Sequence, residues 1–100
     1  MKILMVRSSI KPEHVMDVEA AVQRLFSAIE RARPANVRYA SSMLPDGETF
    51  LALLQVEEGT ENPLPALPAF REFQERLKAW VASPPVAEQL TVVGSYRLFG

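Results

Sequence analysis

The feature that most constrains this chain is a strand-forming segment that is apolar on both of its faces. In residues 49–56, one alternating set is Phe50, Ala52, Leu54 and Val56, and the opposite set contains Leu51 and Leu53. Because successive side chains of a strand point to opposite faces of the sheet, both faces must be covered. Two helices can cover one face of a small sheet. In a chain of 100 residues, we expect a second copy of the chain to cover the other.

The remaining segments supply partners for this strand. The pattern predicts a strand at 3–7, a helix from Pro12 that ends before Pro34, strands at 37–44 and 49–56, a helix from about Pro68 to before Ser83, and a strand at 89–99. This order is the ferredoxin-like β-α-β-β-α-β, a four-stranded antiparallel sheet with two helices on one face. We therefore predict an α+β fold in a single domain, residues 1–100.

Two local features refine this prediction. Pro45-Asp46-Gly47 is a turn sequence that joins strands 37–44 and 49–56 into a hairpin. The length of this turn leaves the register open by one residue, so Tyr39 is not assigned to the face of Phe50 or to the opposite one. Leu64 and Leu67 each precede a proline, which disfavours the helical region, so both are expected to be extended.

Composition excludes several functional classes. The net charge is −1 and the basic residues are scattered, so we expect no nucleic-acid partner. The chain has no cysteine and one histidine, His14, so we expect no thiolate zinc site and no other metal site. No apolar run is long enough to span a membrane. Arg7 interrupts the apolar start too early for a signal peptide, so a cytoplasmic protein is expected.

Several segments of the sequence also resemble a known family. These are Lys11-Pro12, the Pro-Asp-Gly turn at 45–47, Asn62-Pro63-Leu64-Pro65-Ala66-Leu67-Pro68-Ala69-Phe70 and Val93-Gly94-Ser95-Tyr96. With the order of elements, they resemble the dimeric α+β barrel superfamily, specifically small proteins similar to antibiotic-biosynthesis monooxygenases. The resemblance implies a homodimer joined through the open sheet face, with a cavity between sheet and helices in each subunit. It implies no particular reaction and no cofactor.

Some members of that superfamily oxidise aromatic substrates without a cofactor in a pocket with asparagine, tryptophan, tyrosine and arginine, and others bind haem through a helix-borne histidine. This chain has those residue types at Asn36, Trp80, Tyr39, Tyr96, Arg7 and Arg97, but no family motif assigns a catalytic role to any of them. His14 lies in the first turn of the first helix, an unexpected place for a haem ligand, and a solvated helix-start residue explains it more simply.

The candidate pocket residues are Tyr39, Trp80, Tyr96 and Arg7. Each also has a structural explanation, because Trp80 falls on the apolar stripe of the second helix and tyrosine is a good strand former. No pair of titratable groups is evidently placed for acid–base catalysis. We therefore predict a homodimer that binds a small apolar or aromatic molecule, and keep a cofactor-independent monooxygenase as the alternative.

Overall fold

Four strands and two helices follow one another in the predicted order. The protein is described by a computed structural model over residues 2–98. Its elements are β1 (Lys2–Ser9), α1 (Val15–Ala32), β2 (Val37–Met43), β3 (Thr49–Val56), α2 (Pro68–Trp80) and β4 (Val86–Thr91), with short 3₁₀ turns at Pro12–His14 and Leu64–Ala66. The strands pair antiparallel in the order β2-β3-β1-β4. The ferredoxin-like α+β prediction is confirmed.

The first helix begins and ends where the sequence predicts. Pro12 opens a 3₁₀ turn that leads into α1. At the other end, Arg33 adopts the left-handed conformation (φ 48°), and its N–H donates to the carbonyl of Ile29 before Pro34 prevents continuation. Val18, Ala21 and Leu25 are buried, so one stripe of α1 packs against the rest of the protein.

The segment before α2 is partly different from the prediction. Leu67 is extended (φ −84°, ψ 125°) and Pro68 starts α2, as expected. The prediction for Leu64 is wrong, because this residue starts a 3₁₀ turn and is fully buried. The side-chain oxygen of Asn62 accepts the N–H of Leu64 at 3.0 Å, which stabilises the turn despite the proline that follows.

The hairpin register is fixed by Asp46. Its carboxylate accepts the N–H groups of Glu48 and Thr49, both at 2.9 Å, and the hydroxyl of Thr49 at 2.6 Å. The pairs that follow are Met43 with Phe50, Ser41 with Ala52 and Tyr39 with Leu54. Tyr39 therefore lies on the same face as Phe50, which settles the alternative that the sequence left open.

The last strand is shorter than predicted. A strand was expected at 89–99, but β4 spans Val86–Thr91 and residues 92–98 belong to no strand. Thr91 pairs with Lys2, the first residue of β1. The pairing of β4 with β1 extends to this pair, and the apolar alternation that continues after Thr91 is not part of a strand. Phe99 lies outside the described residues.

The sheet has one face covered by the helices and one open face. Open-face residues on the two central strands include Ile3, Met5, Leu51 and Leu53, and β4 adds Val86 and Leu90, which are 55% and 38% exposed. Ile3 is buried and borders a hollow to which Leu98 contributes. The open face therefore combines these apolar side chains with polar and charged ones, among them Arg7 and Glu88. Within residues 2–98, no helix is long and apolar enough to cross a membrane.

Candidate ligand pocket

A pocket of about 300 Å³ lies between the sheet and both helices. We call it the inner pocket. Its walls are mostly apolar: Leu4, Val6, Ile10, Val18, Val22, Phe50, Ala52, Leu54, Phe70, Phe73, Leu77 and Pro85. The strand residues among them come from the helix-covered face of β1 and β3, and the helix residues come from the apolar stripes of α1 and α2. The inner pocket is therefore a gap within the layer that would otherwise be filled core.

Five polar but uncharged side chains complete the lining: Ser8, Tyr39, Ser41, Asn62 and Gln74. Ser8 is the most buried of them, with 6% of its surface exposed, and it lies on β1 opposite Phe50. Asn62 uses its side-chain oxygen for the N–H of Leu64, which leaves its amide NH₂ group available as a donor. Hydrogen-bond donors and acceptors thus interrupt an apolar surface at a few points, as in small-molecule sites.

The pocket opens towards the start of β4. Gln74 and Pro85 are exposed, and Leu4 is 38% exposed although it faces the helices. All six residues of β4 are exposed, so the helices do not cover this end of the sheet. A small molecule can therefore reach the pocket between α2 and the segment before β4.

Tyr39 forms the far wall, where β2 meets both helices. Its ring stacks on Phe26 of α1, with centroids 5.2 Å apart and an interplanar angle of 9°, and meets the edge of Phe70 of α2 at 6.1 Å. These offset and edge contacts are the favourable geometries for aromatic pairs. Burial raises the pKa of the Tyr39 hydroxyl above its ordinary value, so this group stays neutral at physiological pH.

A second cavity also borders Tyr39. We call it the outer cavity; its volume is about 340 Å³. It is lined by Phe26, Ile29, Glu30, Arg33, Pro34, Val37, Tyr39 and Leu64. Unlike the inner pocket, it includes charged side chains, those of Glu30 and Arg33. Tyr39 is the residue that the two cavities share among those of residues 2–98.

The structure separates the four predicted pocket candidates. Tyr39 lines the inner pocket, but the other three lie elsewhere. Trp80 packs against the buried cluster of Ile10, Val18 and Phe50, so its stripe position reflects core packing. Arg7 lies on the open face of β1, because its neighbour Ser8 faces the helices. Tyr96 is 82% exposed in the segment after β4, with the Arg97 guanidinium 5.1 Å from its ring centroid.

His14 has neighbours that the sequence did not indicate. Its Nδ1 donates to Oδ2 of Asp17 at 2.9 Å, and its ring stacks on Trp80 with centroids 6.3 Å apart. This contact joins the start of α1 to the end of α2, away from the inner pocket. Among the described residues, no group of three histidine, aspartate or glutamate side chains is placed to hold a metal ion.

Four of the five polar pocket residues were missed at the level of sequence. Ser8 and Ser41 sit in strands whose face could be assigned only once the register was known. The side chain of Asn62 accepts the N–H of Leu64 and also lines the pocket. No signal in the sequence marked them, because Ser8 follows Arg7 at the end of an apolar run, and Ser41, Asn62 and Gln74 each lie beside another polar residue.

Solved structures share this architecture. A putative antibiotic biosynthesis monooxygenase from Nitrosomonas europaea superposes with a TM-score of 0.74 at 16% identity, covering 94% of this chain and 100% of that one. This is the fold of antibiotic biosynthesis monooxygenase-like proteins. The resemblance seen in the sequence is confirmed at the level of the fold.

Other solved structures with this fold include an oxygenase and a protein of unknown function. A variant of SnoaB, a cofactor-independent oxygenase from Streptomyces nogalater, has a TM-score of 0.70 at 14% identity, covering 96% of each chain. A protein of unknown function from Nitrosomonas europaea has a TM-score of 0.73 at 13% identity, covering 99% of this chain and 95% of that one. No family model matches the sequence, and no curated protein matches it.

Proposed function

We propose that the protein binds a small, uncharged apolar or aromatic molecule in the inner pocket. The observation that carries this proposal is the pocket itself, about 300 Å³ of space with apolar walls and a few uncharged polar groups. Natural cores are packed with few voids larger than a water molecule, so a gap of this size implies an occupant. At the packing density of protein interiors, it would hold roughly 220 Å³ of ligand.

The lining determines which ligands fit. None of the residues that line the inner pocket is charged, and the pKa of Tyr39 is raised by burial, so its hydroxyl remains a neutral donor. A charged ligand would lose its hydration without gaining an opposite charge, which is costly in a low-dielectric site. An uncharged ring system with one or two hydroxyl or carbonyl groups could pack against the walls and bond with Ser8, Ser41 or Asn62.

Binding is favoured over catalysis by the same lining. Tyr39 is the one titratable side chain among the described residues of the inner pocket, and its raised pKa makes it a poor base at neutral pH. The similar structure from Streptomyces nogalater is a cofactor-independent oxygenase, so oxygen consumption is the outcome that would favour the monooxygenase alternative. An oxygen electrode with each bound ligand in aerobic buffer would detect it.

The test is a thermal-shift screen of small uncharged aromatic compounds on the wild-type protein and on Ala52→Phe. Ala52 lies in the middle of β3 and lines the pocket, so a phenylalanine there should occupy the ligand space. Ala79→Phe, at an exposed position of α2, is the matched control. A compound present at about 100 times its Kd should stabilise the wild type by about 2.7 kcal/mol. We expect the control to keep this stabilisation and Ala52→Phe to lose it; equal responses in both variants would refute the pocket.

We further propose that the protein is a homodimer whose subunits pair through the open sheet face. The open face of a four-stranded sheet presents on the order of 400 Å², and Met5, Leu51 and Leu53 form an apolar centre on it. Val86 and Leu90 on this face are exposed in the protomer, and so are Val93 and Leu98 in the segment that follows. Residues 92–98 belong to no strand, so a second copy would also offer them backbone groups to bond.

Sedimentation velocity tests this assembly. Leu90→Lys places a charge at the proposed interface, and we expect it to convert a dimer at micromolar concentration into a monomer. Met16→Lys is the control, because Met16 is an exposed apolar residue on α1, away from the open face. A wild-type protein that sediments as a monomer, or a Leu90→Lys variant that remains dimeric, would contradict the proposed interface.

A further inference from the structure

Tyr39 borders two cavities of different chemistry. The inner pocket has no charged lining residue, whereas the outer cavity includes Glu30 and Arg33. Each cavity has a volume of about 300 Å³ or slightly more. Tyr39 is the lining residue that they share, which places this residue at the boundary between them.

The Tyr39 ring is held from two directions. Phe26 of α1 stacks flat on the ring at 5.2 Å, and Phe70 of α2 meets it edge-on at 6.1 Å. The backbone of Tyr39 is itself fixed in β2, where Tyr39 pairs with Leu54. A ring that contacts one aromatic residue from each helix would lose both contacts if it swung aside, which favours its present position.

We propose that Tyr39 is a specificity-determining residue that sets the maximum length of the ligand. A molecule that enters from the mouth near Gln74 and Pro85 extends along the inner pocket until it meets the Tyr39 ring. Longer molecules must leave their excess apolar surface in water at the mouth. This inference rests on the proposed function, because it requires the ligand to occupy the inner pocket.

Removing the ring would join the two cavities. The space open to a ligand would then roughly double. On its far side it would be bounded by apolar groups from Phe26, Ile29, Val37 and Leu64, with Glu30 and Arg33 also contributing to the wall. The intact ring therefore has two effects on selection. It limits length, and it keeps the charged groups of the outer cavity away from the ligand.

The test uses 4-alkylphenols as a molecular ruler, with tails from methyl to nonyl. These compounds are uncharged at neutral pH, since a phenol titrates near pH 10 like the tyrosine side chain. Each additional methylene that is buried should raise the affinity about fourfold. For the wild type, we expect the affinity to rise with tail length and then level off where the tail reaches Tyr39. Isothermal titration calorimetry or a fluorescence displacement assay would measure the series.

Variants of Tyr39 test whether its ring causes the plateau in affinity. In Tyr39→Ala, the plateau should move to tails at least two methylenes longer. The affinity for the longest compounds should then rise about fifteenfold. Tyr39→Leu, which shortens the side chain but keeps it apolar, is the second variant if the alanine variant does not fold. Tyr39→Phe keeps the ring and should keep the wild-type plateau. Tyr96→Ala is the control for loss of a tyrosine outside the pocket, because Tyr96 is largely exposed.

The outcomes separate this inference from the proposed function. If the wild type binds the series and the plateau is the same in Tyr39→Ala and Tyr39→Leu, Tyr39 does not limit ligand length, but the pocket still binds ligands. If Tyr39→Phe moves the plateau as far as Tyr39→Leu does, the hydroxyl and not the ring is responsible. If the wild type binds no member of the series, both the proposed function and this inference are overturned.

Discussion

Truncation of Tyr39 should destabilise the protein by an amount that depends on its ring and not on its hydroxyl. Replacing a large buried aromatic side chain with alanine costs about 3–5 kcal/mol, and each favourable aromatic pair adds about 0.5–1.5 kcal/mol beyond area burial. Tyr39 is half-buried and borders two cavities, so it has fewer packing neighbours than a filled core position. Its two aromatic contacts partly offset this deficit. We therefore expect Tyr39→Ala to cost about 3 kcal/mol.

Urea unfolding followed by circular dichroism measures this cost. With a slope of about 1–3 kcal/mol per molar urea for a small protein, the midpoint should fall by about 1–3 M. Tyr39→Phe is the internal reference. No hydrogen bond within residues 2–98 involves the Tyr39 hydroxyl, so its loss should change the stability by less than about 0.5 kcal/mol. The stability of a small domain, about 5–15 kcal/mol, leaves the alanine variant folded at low temperature.

A double-mutant cycle isolates the stacking contact. Phe26→Ala and Tyr39→Ala, made separately and together, should show a coupling of about 1 kcal/mol, because the two rings lie 5.2 Å apart and nearly parallel. A cost below about 1 kcal/mol for Tyr39→Ala would refute the view that the ring is firmly held. So would additive effects of the two truncations, or a Tyr39→Phe variant as unstable as Tyr39→Ala.

Two further predictions concern pH. Burial raises the pKa of the Tyr39 hydroxyl above its ordinary value near 10, so the unfolded chain loses the hydroxyl proton at a lower pH than the folded protein does. The free energy of unfolding should therefore fall as the pH rises above about 10. Thermal melts of Tyr39→Phe should show a smaller fall. Hydrogen bonds from the Thr49 hydroxyl and from the backbone N–H groups of Glu48 and Thr49 lower the pKa of Asp46. The Asp46 carboxylate therefore stabilises the folded protein at neutral pH, and this stabilisation is lost as the pH falls through the lowered pKa. Asp46→Ala should lower the melting temperature at pH 7 more than Asp46→Asn does, because asparagine keeps an acceptor oxygen. If Asp46→Ala lowers the melting temperature relative to the wild type as much at pH 2 as at pH 7, this explanation is contradicted.

The elements that the sequence predicted well are those whose signals are local. Pro12, Pro34 and Pro68 mark helix ends through fixed backbone geometry, and the Asp46 turn specifies its hairpin through bonds within a few residues. The extent of β4 depends instead on pairing with β1, far away in the sequence, because a strand requires a neighbour to bond. Apolar alternation continues past Thr91, so a local pattern alone extends the strand too far.

The pocket could be predicted in position but not in composition. Its location between sheet and helices follows from the fold, and Tyr39 was a candidate from the start. The other polar residues become neighbours only through pairings such as Ser8 with Phe50 and Ser41 with Ala52, which depend on the register. Trp80 was a candidate because tryptophan is among the pocket residue types of the superfamily that the sequence resembles, but its stripe position on α2 places it against Ile10 and Val18 instead.

The alternation of β3 has a consequence for how the protein can be altered. Ala52 and Leu53 are adjacent in the chain, yet one faces the inner pocket and the other faces the open side of the sheet. A substitution at the first changes the volume available to a small molecule, and a substitution at the second changes the surface available to another protein. The two properties can therefore diverge independently under mutation, residue by residue along one strand. Any influence of assembly on ligand affinity would have to pass through the strand backbone that both sets of side chains share.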